Sequence, residues 1–249
     1  MVETKSLIRM IELASVGGMI DVVRLRCENG ITTSVMSTEG KACLQKVTMP
    51  IDIGTPELTL PVEWVLTRLK HAGDNVKITP KGKSIFILGD RFESRKGLYE
   101  GPVNEVIELN EKNWAVMDKA PYMVIDAKEI HRVVNARKDF GVNEYQFQFI
   151  QDGKNMKIFL ILGDLTGQFS DPARFLLSPT KHTFKPENFA EGENSLTFSS
   201  MFEEVFKQVS GEITIRMLPQ KFRLAMSVFE DEGKTTINSI IAGMSPTDL

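Results

Sequence analysis

Residues 126–138 read Asp-Ala-Lys-Glu-Ile-His-Arg-Val-Val-Asn-Ala-Arg-Lys, and the fold follows from how this stretch is built and how often its kind recurs. Ala127, Ile130, Val133 and Val134 return at helical spacing and make one apolar face. Lys128, His131, Arg132, Asn135 and Lys138 gather on the opposite face, because positions three and four apart are neighbours on a helix. Asp126, with Glu129 three residues on, reads as the N-cap pair that starts the helix. Such a helix lays its apolar side on a sheet and keeps its positive charge away from it.

The same helix-plus-strands unit recurs on both sides. At the N-terminus the spacing predicts a helix over 5–15, with Leu7, Ile8, Ile11 and Ala14 inward and Lys5, Arg9 and Glu12 outward. Extended runs at 22–27 and 31–36 flank Glu28-Asn29-Gly30, a strong hairpin signal, and 41–49 reads as a further strand. A second unit opens at Leu58-Thr59-Leu60, and Pro61 suits a first helical position. Val62, Leu66 and Leu69 face inward, Arg68 and Lys70 outward, and Gly73 ends the helix. A hairpin at 75–79 and 84–88 closes on Gly89-Asp90, followed by a strand at 92–99. The third unit is the helix at 126–138 with strands at 144–150 and 157–162, closing on Gly163-Asp164. Ile-Leu-Gly-Asp thus ends a hairpin at both 87–90 and 161–164, a sign of internal repetition. In the fourth unit Leu196-Thr197-Phe198 echoes 58–60, and Ser200 with Glu203 forms a capping-box pattern. Phe202, Val205, Phe206 and Val209 supply the apolar face, Gly211 stops the helix, and strands follow at 212–217, 222–229 and 235–241.

Four units in two pairs make an α+β chain of two similar domains, 1–100 and 122–249, each with two helices on antiparallel sheets. Residues 101–121 join them as a partly extended interdomain connector carrying Val106, Ile107, Leu109, Trp114 and Val116. A second irregular region, 166–193, holds one strand near 174–177.

With 249 residues the chain is long enough for two ordinary domains, and its composition is that of a soluble globular protein. A net charge of −3 excludes a protein basic all over, but leaves room for one basic face. No apolar run is long enough to cross a membrane and the start lacks a signal-peptide core, while two cysteines, Cys27 and Cys43, fit a reducing, intracellular compartment. His71, His131 and His182 are scattered, with no metal-binding His-Glu-x-x-His or Cys-x-x-Cys spacing. Gly82-Lys83-Ser84 looks like the end of a phosphate loop, yet Lys77 stands where that motif needs glycine, and no Gly-x-Ser-x-Gly elbow occurs. Nothing here points to a catalytic residue, a metal or a cofactor. Trp64 and Trp114 read as partly buried packing residues or contact residues, and His71 and His131 as surface histidines.

In this layout the chain resembles the proliferating cell nuclear antigen family of DNA sliding clamps. Leu69-Lys70-His71-Ala72-Gly73 is similar to the family's Leu-Lys-x-Ala-Gly at the end of its second helix. Glu129-Ile130-His131-Arg132 resembles the third-helix stretch that carries basic residues toward DNA, and Lys207 matches a basic position on the fourth helix. Departures mark a divergent member. The run at 34–41 keeps only Met36 of a family motif, Gly243-Met244 follows Ile241-Ala242 where the family reads Pro-Lys, and Glu203 and Glu204 accompany Lys207.

The resemblance implies a homotrimeric ring, joined head to tail, around sequence-independent double-stranded DNA. By that resemblance Lys5, Arg9, Arg68, Lys70, Lys128, His131, Arg132, Lys138 and Lys207 face DNA. Met36, Val106, Ile107, Leu109 and Ala242 stand at the positions of a pocket for short peptides of DNA polymerase, the clamp loader and other replication and repair enzymes. It also implies a subunit contact between a strand near 92–99 and one near 174–177, in the nucleus or, in a prokaryote, the nucleoid and cytoplasm. The alternative is a checkpoint-type clamp subunit, or a clamp-fold adaptor, that closes no homotrimeric ring.

Overall fold

Val2–Glu3 (β1) leads directly into α1 (Thr4–Ala14), a helix because Leu7, Met10, Ile11 and Ala14 return to one side, where all four are buried. The computed structural model describes the chain except residues 106–110, 143, 154, 164–171, 190–194, 222, 231–232 and 245–249, and gives 111–114 as backbone alone. The chain divides into two compact units: Met1–Glu108 with Phe229–Asn238, and Leu109–Val228 with Ser239–Leu249.

In the first unit α1 is followed by β2 (Val22–Glu28), β3 (Ile31–Ser37), β4 (Cys43–Met49) and β5 (Glu57–Pro61). Then come α2 (Val62–Leu69), β6 (Asn75–Lys81), β7 (Ser84–Gly89) and β8 (Phe92–Gly97). The strands pair antiparallel in the orders β5-β2-β3-β4 and β1-β6-β7-β8. In β2, Val23 and Leu25 are buried while Arg24 and Arg26 lie on the other face, the alternation of a sheet covered on one side.

The second unit repeats this plan. It holds α3 (Glu111–Asp118), β9 (Tyr122–Asp126), α4 (Ala127–Phe140), β10 (Tyr145–Asp152), β11 (Asn155–Leu162), β12 (Ala173–Leu176) and β13 (Lys181–His182). β14 (Ser195–Phe198), α5 (Met201–Phe206), β15 (Glu212–Leu218), β16 (Arg223–Glu230) and β17 (Thr235–Ala242) follow, with the end of β16 and the first half of β17 counted in the first unit. The sheet orders are β12-β11-β10-β14 and β13-β9-β15-β16-β17. A strand leading straight into a helix thus occurs at β1–α1, β5–α2 and β9–α4, and β14 is one turn short of α5.

The two cores differ in substance. The first is aliphatic around Leu7, Ile11, Val23, Leu25, Leu60, Val65 and Leu69. The second is built on Tyr145, Phe147, Phe149, Phe198, Phe202 and Phe206, with Phe202 and Phe206 stacked at 4.2 Å between ring centroids. The shared Ile-Leu-Gly-Asp has a local reason in the first unit: a Cβ on Gly89 would sit 2.0 Å from the Ala72 carbonyl oxygen, so only glycine lets β7 end against the turn after α2.

Helix starts and stops show where local signals held. Asp126 caps α4 by accepting the Lys128 N–H at 2.9 Å, and Gly141 closes it in the left-handed conformation. Ser200 forms no such cap on α5, a correction to the capping-box expectation. Its intended partner Glu203 is buried and drawn instead to cationic and phenolic donors. Within the stretch read as connector, 111–118 is helical as α3.

Candidate functional site: helix faces and sheet edges

The nine basic positions on the four repeated helices do not share one environment. Lys5 on α1, Lys70 after α2, and Lys128 and Lys138 on α4 are exposed, with no ion pair or side-chain hydrogen bond among the described residues. Arg9 instead donates through Nη2 to Glu230 Oε1 at 2.9 Å and is about two-thirds covered. Arg68 lies over the Trp64 ring at 5.6 Å, and Lys96 of β8 approaches the same ring at 5.6 Å. Trp64 is thus a half-buried platform for the chain's own cations.

On α4, His131 Nε2 lies 2.8 Å from the Phe206 carbonyl oxygen, which ties α4 to α5. Arg132 is exposed, pairs with Glu129 at 3.2 Å and donates to the Leu176 carbonyl of β12 at 3.2 Å. Lys207 after α5 is paired with Glu203 and lies 3.9 Å from Glu204. Four lysines therefore remain as unengaged positive charge, and Arg9, Arg68, His131, Arg132 and Lys207 carry structural duties as well.

The sequence reading missed Arg137, which organises the α4–α5 junction. Its guanidinium pairs with Glu203 and donates through Nε to the Val142 carbonyl at 2.9 Å. Tyr145 donates its hydroxyl to Glu203 at 2.8 Å. Burial pushes the Glu203 carboxyl up, but hydrogen bonds from Lys207, Tyr145 and Arg137 outweigh it and hold the group below its ordinary value. Burial, then the bond to Glu203, pushes the Tyr145 phenol up. Asn135, Arg137, Lys138 and Lys207 line a cleft of about 420 Å³ beside this cluster. Arg137 on the flank of α4 reads as an ordinary solvated charge until Glu203 is known to be buried beneath it.

The peptide-pocket positions fall differently. Met36 on β3 is wholly buried, so it offers no surface of its own, whereas Ala242 at the end of β17 is exposed. Val106, Ile107 and Leu109 lie outside the described residues. Where the chain approaches them, Glu105 bridges Met36 and the Ser37 N–H donates to the Asn104 carbonyl at 2.9 Å.

Among the described residues the two four-stranded sheets end on β1 and β8 in the first unit and on β12 and β14 in the second, and β1 and β14 lead toward helices. β8 is the last strand after β7, and β12, among the described residues, the last beside β11. Both are short, alternate between half-buried and exposed positions, and stack an arginine on a phenylalanine of the neighbouring strand. Arg95 lies 5.7 Å from the Phe86 ring and Arg174 5.4 Å from that of Phe159. Among the described residues no three His, Cys, Asp or Glu side chains converge as metal ligands, and no helix is long and apolar enough to cross a membrane.

No family model matches the chain, and no curated protein matches it by sequence. Solved structures do match. The proliferating cell nuclear antigen (PCNA) of A. fulgidus, bound to the C-terminal region of FEN-1, is similar over 98% of this chain and 99% of its own, with a TM-score of 0.68 at 12% identity. The Thermococcus kodakaraensis PCNA aligns over 97% of each chain, with a TM-score of 0.64 and 13% identity. The DNA polymerase sliding clamp of Caulobacter crescentus gives 0.66 at 14% identity, over 98% of this chain but 64% of that one. The chain therefore has the two-domain sliding-clamp fold. It matches the PCNA chains end to end and spans about two thirds of the bacterial clamp.

Proposed function

We propose that the chain is a ring-forming DNA sliding clamp, a tether rather than a catalyst, working with chromosomal DNA in a nucleus or nucleoid. The observation that carries this reading is the pair of open edges, β8 and β12, one in each half of a chain with the clamp fold. An exposed edge strand is a template for pairing, and most proteins cover it. Two different edges on one chain favour a head-to-tail contact, which generates rings when the rotation closes. Three copies joined β8 to β12 make such a ring.

The unengaged lysines suit the hole of that ring. Lys5, Lys70, Lys128 and Lys138 supply phosphate contacts that read no bases, so the ring is held to duplex DNA and still slides. Partner enzymes dock by short peptides, as the C-terminal region of FEN-1 does on the A. fulgidus clamp. The positions proposed for that docking are Met36, Val106, Ile107, Leu109 and Ala242.

A second reading, a clamp subunit or adaptor that forms no homotrimer, draws on the pairing of Arg9 with Glu230 and of Lys207 with Glu203, which leaves a lightly charged helix face. Solution mass by light scattering separates the two. A particle of three times 28.0 kDa supports the homotrimer, and a monomer at micromolar concentration supports the second reading. Binding of a fluorescein-labelled peptide from the FEN-1 C-terminal region then tests the docking role.

A further inference from the structure

We infer that Glu105 is a positioning residue: clasped by Arg24 and Arg26, it fixes where the chain leaves the outer face of the first unit. This rests on the clamp reading for its consequence, because the residues just beyond Glu105 are those assigned to the peptide pocket.

The clasp follows from a fork in the sheet. β5 accompanies β2 from Val22 to Arg26, but β3 pairs with β2 only at Arg26↔Thr33, Cys27↔Thr32 and Glu28↔Ile31. Past Thr33 the backbone ladder stops, with the Ser34 hydroxyl still donating to the Arg24 carbonyl at 2.9 Å, and residues 104–105 pair with the end of β3. Glu105 bridges Met36, and both the N–H and the hydroxyl of Ser37 donate to the Asn104 carbonyl, at 2.9 and 3.2 Å. Among the described residues these are few backbone bonds for a segment entering a long connection.

Charge supplies the rest. Arg24 and Arg26, two residues apart on one strand, point to the same outer face. Arg24 Nη1 and Arg26 Nη2 each lie 2.6 Å from a Glu105 oxygen, and the Glu105 side chain is 5% exposed. Glu57 of β5 balances the second positive charge, 3.6 Å from Arg24 and 3.4 Å from Arg26. A carboxylate that covered is stable only while its cations stay in place. The arginines are more open, at 28% and 42%, so water and Glu57 satisfy them if Glu105 is lost. Removing the charge at 105 therefore frees the segment without unfolding the unit.

The test compares the parent with Glu105→Gln and Glu105→Asp, the last keeping the charge. Amide hydrogen exchange is read at Ser37, whose N–H is held by residue 104, with Ser34 of the same strand, whose N–H faces β4, as internal control. Glu105→Gln is expected to speed exchange at Ser37 at least tenfold with Ser34 unchanged, and Glu105→Asp to restore most of the protection. Parent protein at 1 M salt should move toward the Glu105→Gln value, because partly exposed pairs are screened. Equal Ser37 protection in parent and Glu105→Gln overturns the clasp, whatever the protein's function. The labelled FEN-1 peptide is then titrated into the same proteins. Severalfold weaker binding to Glu105→Gln, rescued in Glu105→Asp, supports positioning of the pocket. Equal affinity despite lost protection overturns it. A parent that binds no peptide contradicts the clamp reading and the positioning role with it, while Ser37 exchange still decides the clasp.

Discussion

Tyr145 and Glu203, on β10 and α5, are joined by a phenolic hydrogen bond of 2.8 Å to a carboxylate that also takes charge from Arg137 and Lys207. Glu203 is the hub of the α4–α5 junction, since its donors come from α4, from the start of β10 and from the residue after α5. Its side chain is 7% exposed, so removing it takes the carboxylate from the Tyr145 hydroxyl and from one side of the Arg137 guanidinium. Glu203→Ala is expected to cost about 3 kcal/mol, as breaking covered pairs does, read as a lowered urea midpoint with unchanged slope.

The same residue sets an acid limit. A carboxyl held below its ordinary value stabilises the fold above the unfolded-state value, and that stability is lost as pH falls through the folded-state one. Stability should therefore fall as pH drops below about 4, the ordinary carboxylate range, and Glu203→Gln should flatten that part of the profile. Tyr145 is raised, so its contribution is present below the ordinary tyrosine value and is lost as pH climbs past about 10.

Cys27 is half-exposed beside Asp52, whereas Cys43 is fully buried and its thiol is pushed up to about 12 by burial. One equivalent of a thiol reagent should react with native protein and the second only in denaturant. Cys27→Ser should abolish the native reaction. Two equivalents reacting at once in native protein would contradict the packing of β4.

Gly89→Ala puts a methyl 2.0 Å from a backbone oxygen, so the turn after α2 must move. A loss of about 3 kcal/mol in thermal or urea unfolding is expected. Gly82→Ala, at φ +60° with open space around it, should cost only about 1 kcal/mol.

For the helix faces, Lys128→Ala with Lys138→Ala should weaken retention on duplex DNA and lower its salt slope by about 1 for each phosphate no longer neutralised, with stability unchanged. Arg9→Ala should chiefly cost stability, because Glu230, 17% exposed, loses its partner. The opposite pattern would place DNA on another surface.

Much of this fold was legible in the residues. All four repeated helices occur, since each carries an apolar stripe at the helical period over a full turn or more, as at Leu7–Ile11–Ala14 and Ile130–Val133–Val134. β9 was not read: Tyr-Met-Val-Ile-Asp is short, follows Pro121, and ends at the residue that caps α4, so the helix signal masked it. β13 has two residues, too few for any alternation. Among its described side chains the helix α3 buries Met117 near its end, too little for a stripe. The candidate site was legible in type only. Spacing places Arg9, His131, Arg132 and Lys207 on polar faces, but Glu230, Phe206 and Leu176, which engage the first three, come from distant sequence that no local pattern reports. Lys207 pairs with Glu203 four residues before it, which spacing does report, but the burial of Glu203 is set by distant packing.

The central claim is that copies of this chain close around DNA. Its most direct test is retention on a nicked circular plasmid, loaded with the cognate loader, before and after a single restriction cut. The account predicts protein that stays on the circle at moderate salt and is lost once the DNA has ends. Equal retention on circular and linear DNA, or none on either, would contradict it.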